Sequence, residues 1–158
     1  MKSNLISKSK TAEILEQINS QWNVKLSKQK NVRFHYITDN EIIITGTDIT
    51  AIMIGNDILP FLNETTILKK FPNVVVDMGA IQFVCKGANI MRPGIKEFSD
   101  FKKGDIVCVI EESQQKFLAV GIAKMSSDEL KEAKKGEVIK NIHYISDNFW
   151  EIGKELSL

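Results

Sequence analysis

The sequence predicts an α+β protein with a small N-terminal α/β domain, residues 1–72, and a strand-rich C-terminal domain, residues 73–158. Two observations carry this prediction. An apolar stripe at helical spacing lies near the N-terminus, and short apolar runs separated by Gly, Asn and Asp follow it. Pro72 stops a short helical pattern and gives the boundary between the two domains.

The first domain is predicted to be a helix followed by a small antiparallel sheet. Residues 11–22 carry apolar side chains at helical spacing, and Ser9 or Thr11 can cap the helix. The shared apolar face comprises Ile14, Leu15, Ile18 and Trp22. Strands are predicted at residues 32–37, 42–45, 51–54 and 58–59. Pro60 favours an edge or irregular position for the last strand, and residues 65–71 favour a short helix.

Residues 74–94 organise the second domain, because they predict a strand, a helix, a second strand and a turn in one short run. Asp77 is a good N-cap for the helix, and Gly87 lies where a left-handed residue ends one. The apolar stripe of this helix comprises Ala80, Ile81, Val84 and Cys85. Pro93 and Gly94 predict the closing turn.

The remaining residues predict a strand-rich C-terminal half. Phe98 and Phe101 are expected to be packing residues in a loop. Strands are predicted at residues 106–110, 116–123, 138–142 and 149–152. Residues 111–115 predict a polar hairpin loop, in which Glu111 and Glu112 face solvent.

Composition argues against several functional classes. No apolar run is long enough for a membrane span, and no signal segment is recognisable, so cytoplasmic residence is the default expectation. Cys85 and Cys108 lie in apolar runs and are expected to be buried, reduced thiols. No nucleotide-binding loop and no metal-ligand spacing is present. We therefore expect no enzyme activity, no cofactor and no metal.

Charge is unevenly distributed although the net charge is only +1. Residues 1–33 contain seven basic and two acidic side chains, whereas residues 34–68 contain five acidic and no basic ones. This asymmetry allows a basic face for nucleic acid and an acidic face for a protein partner. Chance unevenness remains the favoured explanation of the acidic stretch.

Small residues between two cations suggest a phosphate-binding site. Gly87 and Ala88 would leave a shallow floor between Lys86 and Arg92, and Gly79 would allow close approach to the backbone. A tight packing turn between helix and strand is the competing explanation, and these residues alone favour it.

A longer pattern resembles a known RNA-binding module. Val-Asp-x-Gly-Ala-Ile-x-Phe-Val-x-x-Gly-Ala-Asn-Ile-Met-x-Pro-Gly, residues 76–94, resembles the start of a PUA domain, and residues 103–107 and 119–123 fit its continuation. Gly-Ala-Asn-Ile-Met at residues 87–91, with Asn-Ile-His-Tyr at residues 141–144, resembles the malignant-T-cell-amplified-sequence family. Relatives of that family include the N-terminal half of ligatin. The short layout looks like an archaeal member.

The resemblance implies a C-terminal PUA mixed β pseudo-barrel that binds RNA in a groove beside its first helix. The residues implied are Gly79, Lys86, Gly87, Ala88, Asn89, Met91, Arg92, Pro93, Gly94, Lys140 and His143. Lys86 and Arg92 would contact phosphates, although Arg92 replaces a small residue of the family pattern. His143 is either a ligand or a structural residue. Tyr144 and Trp150 can stack on bases, but packing is the favoured explanation for both.

The resemblance implies a translation protein that acts with tRNA and the small ribosomal subunit in initiation, reinitiation or recycling. A separate protein with a SUI-type initiation-factor domain is the implied partner. The alternative is an RNA-binding accessory to a tRNA or rRNA modification enzyme. A scaffold without RNA binding is a third possibility. The sequence leaves open the RNA preference, the oligomeric state and whether the basic N-terminal segment contacts RNA.

Overall fold

The structure, a computed structural model, describes all 158 residues and divides into two compact units, Met1–Glu64 and Thr65–Leu158. Both units combine helices with a sheet of their own, so the predicted α+β class is confirmed. The domain boundary between residues 72 and 73 stays a prediction. No helix has the length and apolar character that crossing a membrane requires.

The first unit is a five-stranded antiparallel sheet with one long helix. Its elements are β1 (Lys2–Leu5), α1 (Lys8–Trp22), β2 (Arg33–Tyr36), β3 (Glu41–Thr45), β4 (Thr50–Ile54) and β5 (Asp57–Pro60). The strands follow one another in chain order across the sheet, so β5 is an edge strand, as Pro60 predicts. Strand β1 was not predicted, because its side chains are all exposed and carry no apolar alternation.

Helix α1 begins earlier than the apolar stripe indicates. Ser7, rather than Ser9 or Thr11, is the N-cap, and its hydroxyl accepts a hydrogen bond from the Lys10 N–H at 3.1 Å. At the other end Trp22 is buried, and its Nε1 donates to the carbonyl of Ile58 in β5 at 2.7 Å. The prediction that Trp22 belongs to the core is confirmed.

The second unit is a six-stranded mixed sheet that nearly closes into a barrel. Its elements are α2 (Thr65–Leu68), β6 (Asn73–Val76), α3 (Ile81–Val84), β7 (Ile90–Met91), β8 (Ile95–Phe98), β9 (Ile106–Glu111), β10 (Phe117–Ala123), α4 (Ser127–Glu132), β11 (Glu137–Tyr144) and α5 (Asn148–Glu155). The strand order is β7-β11-β10-β9-β6-β8, and only β6 and β9 run parallel. Short 3₁₀ turns, Met78–Ala80 and Arg92–Gly94, precede α3 and β8.

Two predictions of secondary structure in this unit are wrong. Residues 149–152 lie in α5, because Asp147 caps that helix by accepting from the Trp150 N–H at 2.7 Å. The aromatic residues that suggested a strand there instead include the buried Phe149 of the helix. Phe98 ends β8 rather than lying in a loop, since Val74 of β6 pairs with it.

Glu111 is also placed differently from its prediction. It is 3% exposed at the end of β9, whereas Glu112 is exposed as predicted. The Glu111 carboxylate accepts the N–H groups of Ser113, Gln114 and Lys116 and the Ser113 hydroxyl. These donors lower the pKa of Glu111 to about 2, the Lys116 N–H contributing most. The carboxylate therefore organises the β9–β10 hairpin.

Both cysteines are free thiols. Cys108 is fully buried in β9, its Sγ lies 3.6 Å from the Leu68 carbonyl, and burial raises its pKa to about 12. Cys85 is half-buried, and burial raises its pKa as well. The expectation of buried thiols is met for Cys108, whereas Cys85 is only half-buried.

Glycine brings β10 and β11 unusually close. A Cβ on Gly121 would lie 2.1 Å from the Lys140 carbonyl oxygen and 2.6 Å from the Ile139 side chain. The register between the strands shifts at this point, because Val120 pairs with His143 and Gly121 with Asn141. The resulting β-bulge sets the placement of the C-terminal half of β11.

Candidate nucleic-acid interface

The helical turn between β6 and β7 is fixed at both ends by its own sequence. Asp77 accepts a hydrogen bond from the Ala80 N–H at 2.9 Å and caps the 3₁₀ turn that leads into α3. At the other end the N–H of Gly87 donates to Val84, and that of Ala88 donates to Phe83. This pair of bonds is a Schellman motif, and Gly87 has the left-handed φ of +93° that it requires. The cap predictions for Asp77 and Gly87 are confirmed.

Asn141 ties the turn after α3, residues 86–89 (the 86–89 turn), to strand β11. The Nδ2 of Asn141 donates to the carbonyls of Val84 at 3.1 Å and Ala88 at 3.0 Å. In return, the Asn141 N–H donates to the side-chain oxygen of Asn89 at 3.0 Å. The two segments that carry the family resemblance are thus one hydrogen-bonded unit, although they lie 52 residues apart.

Gly87 has a second reason to be glycine. A Cβ there would come within 2.9 Å of the Tyr144 hydroxyl and 3.0 Å of its ring. Tyr144 therefore packs under the turn, as the packing explanation for that residue predicts. Gly87 is thus required by packing and by its left-handed backbone, and the open surface beside it is available to a ligand.

Arg92 and Lys86 lie in different environments. The Arg92 side chain is half-buried, donates to the carbonyls of Ala133 at 3.0 Å and Ile95 at 3.3 Å, and lies over the Phe98 ring. Lys86 is exposed and has no ion pair. The Arg92 guanidinium thus links three segments of the barrel, whereas the Lys86 ammonium is available to an anion.

His143 is fully buried, and its Nδ1 lies 2.8 Å from the carboxylate of Asp147. The same carboxylate accepts from the Tyr144 N–H at 2.9 Å. The imidazole also meets the ring of Phe149 edge-on at 5.9 Å. With no exposed surface, His143 makes no direct contact with a ligand in this conformation, and it fixes the junction between β11 and α5.

The predicted site residues other than His143 differ in how far they are exposed. The exposed ones are Gly79, Lys86, Ala88, Met91, Pro93 and Lys140. Gly87, Asn89, Arg92 and Gly94 are half-buried. Gly94 lies beside the start of the helical turn, since its carbonyl accepts the Asp77 N–H at 3.1 Å, which brings the Gly79 segment next to it. Lys140 immediately precedes the clamping Asn141 on β11.

Two residues of this surface were missed from sequence. Phe83 is 58% exposed on α3, and Asn141 holds the 86–89 turn. The signal for Phe83 was present: at 100° per residue the apolar stripe of α3 faces one way, and residues 79, 83 and 86 face the other. Asn141 belongs to a segment that carries the family resemblance, but the sequence did not show its role, because its partners are distant in the chain.

Charge on this surface is mainly positive, but one carboxylate of β11 reaches it. The Oε1 of Glu137 accepts a hydrogen bond from the Asn89 Nδ2 at 3.3 Å, and the other oxygen of Glu137 lies 3.7 Å from the Lys124 ammonium. No Asp or Glu occurs in residues 78–96, whereas Lys86, Arg92 and Lys96 are cationic. The carboxylate of Asp77 that precedes the stretch is engaged as a helix cap. No group of three His, Cys, Asp or Glu side chains is placed to hold a metal ion. The surface is therefore suited to binding an anion by contact.

The fold and this surface define the class of the second unit. The PUA domain family matches residues 72–145. Among solved structures, a hypothetical protein from Pyrococcus horikoshii superposes with a TM-score of 0.80 at 30% identity, over 96% of this chain and 99% of that one. The predicted PUA pseudo-barrel is confirmed.

Relatives narrow the assignment. The chain is 40% identical to an uncharacterised protein of Methanocaldococcus jannaschii over 79% of this chain and 78% of that protein. It is 43% identical to translation machinery-associated protein 20 of Schizosaccharomyces pombe and 38% identical to malignant T-cell-amplified sequence 1-A of Xenopus laevis. The chain belongs to the malignant-T-cell-amplified-sequence family of PUA-domain proteins, and the archaeal character expected from its layout fits.

The match to the eukaryotic relatives is partial. It covers 51% of this chain and 48% of the yeast protein, and 59% of this chain and 56% of the frog protein. A chain from an H/ACA RNP bound to a substrate RNA also superposes, with a TM-score of 0.50 at 26% identity, over 60% of this chain and 29% of that one. The comparisons therefore show the family of this chain. They do not show what the whole protein acts on.

Proposed function

We propose that this protein binds RNA through the 86–89 turn and acts in translation, with tRNA and the small ribosomal subunit as its RNA partners. The observation that carries the proposal is the exposed Lys86, which has no ion pair, on a hydrogen-bonded turn of a PUA barrel. The translation assignment draws on the names of the relatives, one of which is a translation machinery-associated protein.

The contacts follow from exposure. Lys86 and Lys140 provide cations for phosphates, and the exposed edge of Ala88 and Pro93 lets the RNA backbone approach. Gly79, Gly87, Asn89, Met91 and Gly94 complete the surface. Arg92 and His143 support it from within, since their polar groups are engaged by the protein.

A separate protein with a SUI-type initiation-factor domain is the proposed protein partner, and the cytoplasm is the proposed location. The step in translation is initiation, reinitiation or recycling. The chain works by binding, without catalysis of its own.

The test is binding of the full chain to purified small ribosomal subunits and to deacylated tRNA, each titrated with salt. Saturable binding to subunits that weakens steeply as salt rises supports the proposal, because released counterions give phosphate contacts this signature. The proposal is contradicted if the full chain binds neither the small subunits nor the deacylated tRNA.

A role as accessory to a tRNA or rRNA modification enzyme is the second candidate. The superposition on a chain of an H/ACA RNP bound to a substrate RNA favours it. Affinity capture with the full chain as bait separates the two. Recovery of small subunits and an initiation-type protein supports translation, and recovery of a modification enzyme with its RNA supports the accessory role.

A further inference from the structure

We propose that Phe83 is a stacking platform for an unpaired RNA base, beside a phosphate contact at Lys86. This inference rests on the proposed RNA binding and makes it specific, because only a base outside a helix presents its face to a side chain. The favoured ligand is thus RNA with a single-stranded segment rather than a continuous duplex.

The fold makes little use of the Phe83 ring. The core of the second unit includes Val84, with Ala80, Ile81 and Cys85 packed against it, but not Phe83. Phe83 contributes to the turn through its main chain, since its carbonyl accepts the N–H groups of Lys86 and Ala88. The side chain remains 58% exposed in a unit that buries its other large aromatic rings wholly or in part.

The neighbours of the ring fit a nucleotide. Gly79, four residues before Phe83, is exposed and brings no side chain that would cover the ring. Lys86, three residues after it, is exposed, and its N–H donates to the Phe83 carbonyl at 3.1 Å, so the two residues are close neighbours. A base stacked on the ring would therefore have its phosphate within reach of an ammonium group.

Charge favours RNA over a protein segment as the occupant. An exposed Phe flanked by the exposed Met78 and Met91 could also receive apolar side chains of a protein. Residues 78–96 contain no carboxylate, and Lys86 and Lys96 are exposed cations. The Glu137 carboxylate that reaches Asn89 also pairs with Lys124 at 3.7 Å, so the exposed charge beside Phe83 still suits a polyanion. Stacking on an aromatic face is tolerant of base identity, so the platform selects unpaired RNA without selecting sequence.

The experiment uses the full chain and two RNA hairpins with the same stem, one blunt and one with an unpaired adenine tail. Phe83→Ala and Phe83→Leu remove the aromatic face, and Phe83→Leu keeps an apolar side chain of similar bulk. Phe83→Trp keeps the aromatic face and adds a fluorophore. Thermal unfolding of each variant serves as the folding control, with little change expected at an exposed position.

We expect Phe83→Ala and Phe83→Leu to weaken binding of the tailed hairpin on the order of tenfold, while Phe83→Trp binds as wild type and its added fluorescence is quenched. Binding of the blunt hairpin should be weak and insensitive to residue 83. Replacing the tail by abasic nucleotides should weaken wild type but not Phe83→Ala, since the contact is already lost.

Three results overturn the inference. Wild-type affinity in both Phe83→Ala and Phe83→Leu shows that the ring is not used. Wild-type affinity in Phe83→Leu alone shows apolar packing instead of stacking. Equal binding of blunt and tailed hairpins shows that the RNA is read as a duplex. In each case RNA binding itself stands, whereas failure of wild type to bind any RNA removes the proposed function as well.

Discussion

Lys86 and Arg92 show how residues with the same charge differ in role according to their contacts. Both are cations near the same turn, and sequence alone makes them equivalent. In the structure the Arg92 guanidinium is held by two carbonyls and the Phe98 ring, whereas the Lys86 ammonium is exposed. Substituting Lys86 should therefore change RNA affinity, whereas substituting Arg92 should change stability.

Lys86→Glu should weaken RNA binding several-fold without altering stability. The substitution removes one phosphate contact and adds repulsion. The negative slope of log affinity against log salt should therefore become shallower by about 1. Filter binding over a salt series, together with thermal unfolding, measures both. Lys103→Glu, an exposed loop position, is the matched control and should bind more tightly than Lys86→Glu. Equal affinity in the two variants contradicts the assignment.

Arg92→Ala should lower the free energy of unfolding by about 1–3 kcal/mol, since it leaves the carbonyls of Ala133 and Ile95 without their donor. Arg92→Lys should recover only part of the loss, because an ammonium lacks the planar fork. Urea unfolding measures the change, with Lys86→Ala as the control that stays near wild type. Wild-type stability of Arg92→Ala would mean that the guanidinium does not support the barrel.

The Glu111 carboxylate should make stability depend on acid pH. Its pKa is lowered from 4.5 to about 2 in the folded chain, so the stabilisation is present above pH 4.5 and is lost as the pH falls towards 2. Urea unfolding of wild type across this window should show the decline, and Glu111→Gln should show a shallower one. Parallel profiles for the two proteins would remove Glu111 as the source.

Among the helices and strands, features that depend on nearby residues could be predicted from sequence, and features that depend on distant residues could not. Asp77 caps the start of the helical turn and Gly87 lies at its end. The hydrogen bonds at both ends join residues only three to five positions apart, so both caps could be predicted from sequence. Residues 149–152 misled because aromatic and β-branched residues also favour strands, and tertiary packing placed them on a helix. Strand β1 gave no apolar signal at all. The roles of Asn141 and Arg92 depend on partners that only the fold brings near.

The contact between β10 and β11 gives a test at this scale. Gly121→Ala should destabilise the protein by at least about 2 kcal/mol, since the new methyl group meets the Lys140 backbone and the strands cannot separate without losing their pairing. Gly104→Ala is the matched control: its φ is +91°, but nothing lies within 4 Å of a Cβ there. Backbone strain alone predicts about 1 kcal/mol for that substitution. A smaller loss in Gly121→Ala than in Gly104→Ala contradicts the close approach.

For the whole molecule, a net charge of +1 means that RNA is not attracted by bulk charge. Binding should therefore depend on a few local contacts, and the slope of log affinity against log salt for single-stranded RNA should be only about −1.4, corresponding to roughly two phosphates, at Lys86 and Lys140. Fluorescence titrations with the tailed hairpin at several salt concentrations measure it. A slope far steeper than this would indicate that further basic residues, such as those in the N-terminal segment, contact the RNA.

The bond between Asn141 and the 86–89 turn also bears on the order of events during synthesis. Residues 77–89 contain all the partners of their capped turn, although a helix this short is not stable alone in water. The clamp requires a residue 52 positions later, in the last strand of the barrel. A nascent chain that has not yet released β11 therefore lacks the bonds that hold the 86–89 turn in place. We expect the proposed RNA-binding surface to form only after residue 141 has left the ribosome.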